Sequence, residues 1–188
     1  MKVLSILQAP QKVLVEKTKP VTKITPSILN LIEDMKYTLI KQEAPKGVGL
    51  SANQVGRPLQ LFVLREAEDK PFRVFINPKL KILRTAKVAP DDPDKDVLEG
   101  CLSISNIWGV VDRAPKVKVK YMSEDGKMHN ETFTGFIARI VQHECDHLDG
   151  ILFPIRVIEA KKTLYAEGKD DKGEETFTPI GPSFNISG

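Results

Sequence analysis

With 188 residues, 41% of them hydrophobic, the chain can bury one core and is read as a single domain spanning residues 1–188. A formal charge of +3, with no basic cluster interleaved with aromatics, gives no support to nucleic-acid binding, and no stretch nears the ~20 apolar residues of a membrane span. Two cysteines, and an apolar run at residues 3–7 too brief for a secretory segment, suit a reducing cytoplasm.

The first helix signal is Thr25-Pro26, a cap followed by proline at the first helical position, with Ile28, Leu31, Ile32, Met35 and Leu39 as the buried stripe. Next comes Gly47-Val48-Gly49-Leu50-Ser51-Ala52-Asn53-Gln54, two glycines and a glutamine in a small, apolar run. It looks superficially like a dinucleotide loop, but such loops follow a strand within a βαβ unit, and this one follows a helix-like segment. Extended runs are expected at 59–64, 72–76 and 80–83, then an acidic solvated loop at 91–96. Glu99-Gly100-Cys101-Leu102-Ser103 leads into a run that can extend as a strand, and a lone cysteine there is more often core than ligand. The alternating Val117, Val119 and Tyr121 are expected to form a hairpin through Asp125-Gly126 with a strand at 131–134.

Residues 135–150 then read as a helix with no interior proline and a closing Gly150. At the helical period Arg139, Gln142, Asp146 and Asp149 make a polar stripe. Phe136, Ile140, His143 and His147 make a second stripe, and Ile137, Val141, Glu144 and Leu148 a third. His143-Glu144-x-x-His147 is an H-E-x-x-H motif. Residues four apart share a helix face at roughly 5–6 Å between Cβ atoms, so both imidazoles can meet one metal ion. Glu144 falls beside that ion, placed to take a proton from a metal-bound water. An ionised glutamate in an apolar stripe is costly to bury without such compensation, which weighs against ordinary core or surface roles for these residues. A catalytic site needs a third protein donor. His129 reads as a solvated histidine, Cys145 as a small buried filler facing away from the motif, and Cys101 stays open. After the helix, 157–167 is helix-like and a flexible charged tail is expected from about residue 168. With the motif helix packed on the strands, the whole fits an α+β domain.

Taken together, the segments 47–54, 99–103 and 142–150 resemble the three signature motifs of the peptide deformylases, in the family's order. The likeness runs from Pro10 and Pro20-Val21 through Asn77-Pro78 to Leu152-Phe153. It implies antiparallel β-sheets packed around a central metal-binding helix. Cys101, His143 and His147 would hold one divalent metal, ferrous iron in most members, with zinc, nickel or cobalt able to substitute. Glu144 would be general base and then general acid, while Gln54 and the backbone N–H of Leu102 would stabilise the oxyanion. Val48 and Gly49 would lie beside an extended N-formylmethionyl nascent peptide, from which formate is released, and Asp146 would pair with Arg113. Transient ribosome association and a cytoplasmic location also follow from the resemblance. Three departures stand out: Ser51 for the usual alanine, Val15 where an arginine commonly follows Leu14, and Trp108 where many bacterial members have arginine near the side-chain pocket. H-E-x-x-H also marks zinc peptidases, but those take histidine, glutamate or aspartate as third ligand. A structural Cys-His-His site would need a fourth donor, for which no candidate is evident.

Overall fold

The computed structural model describes residues 1–42, 46–83 and 97–180. The acidic run at 91–96 and the end of the tail, 181–188, lie outside the described residues. After a short helix α1 (Lys12–Val15), Thr25 caps α2 (Pro26–Ile40) by accepting the Ile28 N–H, and the five expected stripe residues are all buried. They pack on one face of a five-stranded antiparallel sheet of β1 (Gly49–Ser51), β2 (Leu61–Leu64), β3 (Arg73–Ile82), β6 (Lys116–Met122) and β7 (Met128–Thr134), in the order β1-β2-β3-β6-β7. Side chains alternate across a strand, so Leu61 and Val63 meet α2 while Phe62 and Leu64 enter the core on the opposite face. Burial on both faces explains why β2 is uninterruptedly apolar.

The runs expected at 72–76 and 80–83 are one strand, β3. Its pairing with β6 shifts register between Ile76 and Lys79, where Asn77 has φ 50 and Pro78 has no N–H to donate. The Asn77 amide uses both ends on the Val21 backbone, each at 2.8 Å, tying the N-terminal segment to this irregularity. Asp125-Gly126 turns the β6–β7 hairpin as expected.

Helix α3 (Gly135–Leu148) carries the H-E-x-x-H motif and ends before Gly150, whose φ of 74 is the left-handed conformation of a helix stop. Its apolar side, Ala138, Val141 and Leu148, packs on the sheet beside Phe75, Val119 and Phe133. Two residues of the polar stripe, Arg139 and Gln142, are buried as well, whereas Asp149 is exposed. Gln142 brackets the backbone of Ala114 with two 2.9 Å bonds, and Arg139 donates to the Val111 carbonyl. That makes α3 central to an α+β fold.

A second antiparallel sheet, β4 (Leu98–Cys101), β5 (Ile104–Val110), β8 (Leu164–Lys169) and β9 (Glu175–Ile180), packs with α4 (Phe153–Glu159) around Leu14, Ile104, Phe153 and Leu164. Here the helix-like reading of 157–167 is corrected. The helix closes by Ala160, Lys161 takes φ 54, and the chain re-enters as β8. The charged stretch expected to begin a flexible tail turns on Asp170, whose carboxylate accepts the N–H groups of Lys172 and Glu174, and returns as β9. Besides β9, β8 pairs with β5, more than fifty residues away, and that ladder outweighs the local helix preference of Ala160, Lys161 and Lys162.

Candidate active site

Helix α3 presents His143 and His147 one turn apart, rings 4.9 Å between centroids and 75° between planes. Cys101, at the end of β4, reaches them from the other sheet, its Sγ 3.2 Å from His147 Nε2. The three ligand atoms lie within 4.8 Å of one another, the arrangement a divalent metal with one thiolate and two imidazole donors requires. His143 Nδ1 lies 2.7 Å from Glu99 Oε1, which leaves Nε2 as its donor to an ion. Burial alone would raise the Glu99 carboxyl, but His143 and Arg113 beside it outweigh that and hold it at about 2. Burial works on His143 in the lowering direction, and Glu99 and Cys101 reverse it, raising this imidazole well above its ordinary value. His147 is lowered, by burial and then by its neighbour His143, and so keeps a free lone pair. The donor set fits a bound metal: one imidazole is locked by a carboxylate, one is neutral, and a thiol lies between them.

Glu144 sits beside this cluster, 3% exposed, with Ser51 Oγ donating to its Oε2 at 2.6 Å. Burial raises its carboxyl above the ordinary range, against the pull of His143 and the Ser51 bond. A carboxylate of raised basicity in a dry setting is suited to accept a proton. Gly49 makes room for it: a Cβ there would overlap Glu144 Oε1 and lie 2.9 Å from Cδ. The Gln54 amide is oriented by the Ser51 N–H, which donates to its Oε1 at 2.8 Å. Its Nε2 is thereby turned to Ser103 Oγ at 3.0 Å and Cys101 Sγ at 3.6 Å.

All of this opens on a cavity of about 220 Å³. Val48, Gly49, Gln54, Cys101, Leu102, His143 and Glu144 line it, so the residues singled out in three separate sequence segments share one space, with His147 beneath them. Trp108 and Phe136 contribute apolar side chains to its lining. His129 does not take part. It stacks on Tyr121 at 5.0 Å and meets Ser123 Oγ at 2.8 Å on β7. Cys145 packs among the apolar side chains on the far side of α3, and burial pushes its thiol up, as suits an inert filler.

Of the supports around the site, sequence reasoning reaches only the Asp146–Arg113 pair. Glu99 receives the Arg113 guanidinium through both oxygens, at 2.6 and 3.1 Å. Arg113 also reaches Asp146 at 2.5 Å, and Arg156 holds the other side of Asp146 at 2.7 Å. The Asp146–Arg113 pair is therefore present, as one link of a chain that runs from buried His143 through Glu99, Arg113 and Asp146 to the more exposed Arg156. Asn53 Nδ2 donates to the His147 carbonyl at 2.7 Å and anchors the last turn of α3 to the segment after β1. A signal for Glu99 existed: two residues before Cys101 on a strand, it faces the same side.

The polypeptide deformylase family model matches residues 3–163. A peptide deformylase of Dehalococcoides mccartyi is 38% identical over 170 residues, 90% of this chain and 95% of the relative. One from Pseudomonas aeruginosa is 40% identical over 154 residues, 81% of this chain and 86% of the relative. The crystal structure of the Thermotoga maritima peptide deformylase superposes with a TM-score of 0.72 at 32% identity, covering 83% of this chain and 98% of that one. The Synechococcus elongatus enzyme, solved in complex with actinonin, gives 0.69 at 34% identity, with 83% and 81% covered.

Proposed function

We propose how the site works from one premise: this chain belongs to the polypeptide deformylase family and is an enzyme of that kind, acting on N-formylated peptides. The reading proposed is that it removes the formyl group from the N-terminal methionine of newly made polypeptides with one divalent metal held by Cys101, His143 and His147. Ferrous iron is the ion proposed, and zinc, nickel or cobalt are able to substitute. The observation that carries this is the convergence of those three donors with Glu144 in one cavity. When bound, such an ion supplies a Lewis acid that acidifies water and polarises a carbonyl oxygen.

The protein's own groups do the rest. Glu144, desolvated and held by Ser51, takes a proton from the attacking water and returns it to the amine nitrogen as the C–N bond breaks. The Gln54 NH₂, fixed in direction by the Ser51 N–H, and the Leu102 backbone N–H receive the charge that grows on the formyl oxygen. Glu99 holds the His143 ring in one tautomer, and Arg113 keeps Glu99 ionised. The substrate peptide lies extended beside Val48 and Gly49, a placement supported by β1 being the edge strand of its sheet. No helix among the described residues is long and apolar enough to cross a membrane, and a cytoplasmic enzyme in transient contact with ribosomes is the setting proposed.

Formate release from formyl-methionyl peptides by iron- or nickel-loaded protein tests this directly. Glu144→Gln should lower kcat by about 10²–10⁴-fold while metal analysis stays unchanged. No release by the loaded parent, or full release by the variant, would sink the reading.

A further inference from the structure

The family match ends at residue 163, and hairpin β8–β9 begins at Leu164. Yet the hairpin reaches back to the cavity through Trp108. That residue lies on β5, opposite Gly100 on one side and Tyr165 of β8 on the other, and it lines the cavity. The ring lies flat against β4 because Gly100 has no side chain, a Cβ there falling 2.9 Å from the indole Cε3. One residue further on is Cys101. The indole Nε1 donates to Glu167 Oε2 at 2.6 Å, and Phe177 of β9 meets the ring edge-on at 5.9 Å and 84°. A recess of about 90 Å³, bordered by Ser105, Ile107, Trp108 and Glu167, lies next to the indole. Trp108 is therefore a partition between two hollows, and two of its holding contacts come from the hairpin. Neither Glu167 nor Phe177 lines the larger cavity.

A wall discriminates by size only while it stays in place, and a missing or extra methylene in an apolar pocket changes selection about 10- to 200-fold. Without Glu167 the indole N–H loses its acceptor, and the recess gives the ring somewhere to go. We propose that hairpin β8–β9 is a positioning element for substrate selection: Glu167 and Phe177 hold Trp108 in the cavity wall and so fix the bulk of the first side chain admitted. The substrate part of this rests on the deformylase reading, whereas the bracing of Trp108 does not.

The chain has a single tryptophan, so its fluorescence reports on Trp108 alone. Glu167→Ala should red-shift the emission and open the indole to acrylamide quenching. Glu167→Gln, which keeps an acceptor oxygen at similar reach, should restore the parent behaviour. With metal-loaded protein, Glu167→Ala should cut the preference for formyl-Met over formyl-Phe peptides, as a ratio of kcat/KM, by about tenfold. The change should fall in KM rather than kcat and be reversed in Glu167→Gln. Phe177→Ala should move both readouts the same way. An unmoved indole in Glu167→Ala, a moved indole with unchanged preference, or a Glu167→Gln as impaired as Glu167→Ala would each overturn the proposal. Should the parent release no formate, the deformylase reading fails on its own. The same size preference is then read as affinity for Met- and Phe-initiated peptides through quenching of this indole, with the same outcomes deciding.

Discussion

Adding one methyl group at Gly49 separates two roles for that glycine. If it serves to let a substrate strand come close, Gly49→Ala should raise KM and spare kcat. The packing indicates the opposite split. The new Cβ would lie 2.9 Å from Glu144 Cδ, where ordinary contact begins near 3.4 Å, and would overlap Oε1 outright. Retreat of the backbone is opposed by the pairing of Gly49 with Leu64 on β2. The carboxylate must therefore yield by roughly half an ångström at Cδ and about an ångström at Oε1, against its 2.6 Å bond to Ser51. Displacements approaching 1 Å at a reacting group cost up to about 10²-fold, so kcat should fall about 10- to 100-fold. Overpacking should also cost about 1–3 kcal/mol of stability. Steady-state formate release, with metal content and the thermal midpoint measured on the same preparation, provides the assay. A variant with kcat within about twofold of the parent and a raised KM would refute the argument and return Gly49 to a purely substrate-facing role.

Gln54→Ala should lower kcat about 10²- to 10³-fold with metal retained, and because it strands the buried Ser51 N–H it should also cost about 1–3 kcal/mol in a denaturant titration. Glu99→Gln should weaken metal affinity about 10- to 100-fold, read by competition with a chelator. The Glu99 carboxyl is held at about 2 against an ordinary 4.5, so it contributes stability fully above pH 4.5 and loses it as the pH falls towards 2. Acid unfolding of Glu99→Gln should accordingly be less steep over that window, and an identical slope would count against the ion-pair account. Iron-loaded protein should lose activity in air while nickel-loaded protein keeps it, through the vulnerability of an iron-bound thiolate; equal decay of the two forms would contradict this.

What could be read from the chain and what could not divide along physical lines. Helix α3 and its ligands were legible because an i, i+4 histidine pair and a 3.6-residue period are local properties. The cap of α2 at Thr25-Pro26 was legible for the same reason. The joining of Cys101 and Gln54 to that helix rested on resemblance, since no local pattern reports a contact between residues 47 positions apart. Glu99 went unseen because its meaning depends on Arg113 and His143 meeting it in space. The polar stripe of α3 carries no local sign of burial, yet Gln142 and Arg139 are buried against the backbone at 111–114, a pairing no periodicity announces. The start of β8 is hidden because Ala160, Lys161 and Lys162 favour a helix locally, whereas β5 offers β8 a long-range ladder; β9 is hidden because its charged approach at 168–175 reads as a solvated tail.

The origin of the three metal donors bears on how the molecule holds together. His143 and His147 belong to a helix seated on the five-stranded sheet, while Cys101 closes the first hairpin of the four-stranded one. An ion gripped by all three would cross-link positions 46 residues apart, narrowing the freedom of the unfolded chain as a disulfide does. Chelation would then do more than silence chemistry. It would unfasten one sheet from the other, so the midpoint of thermal unfolding should climb with free metal concentration, and the Trp108 side of the cavity should loosen before the core around Phe62 and Phe75 gives way.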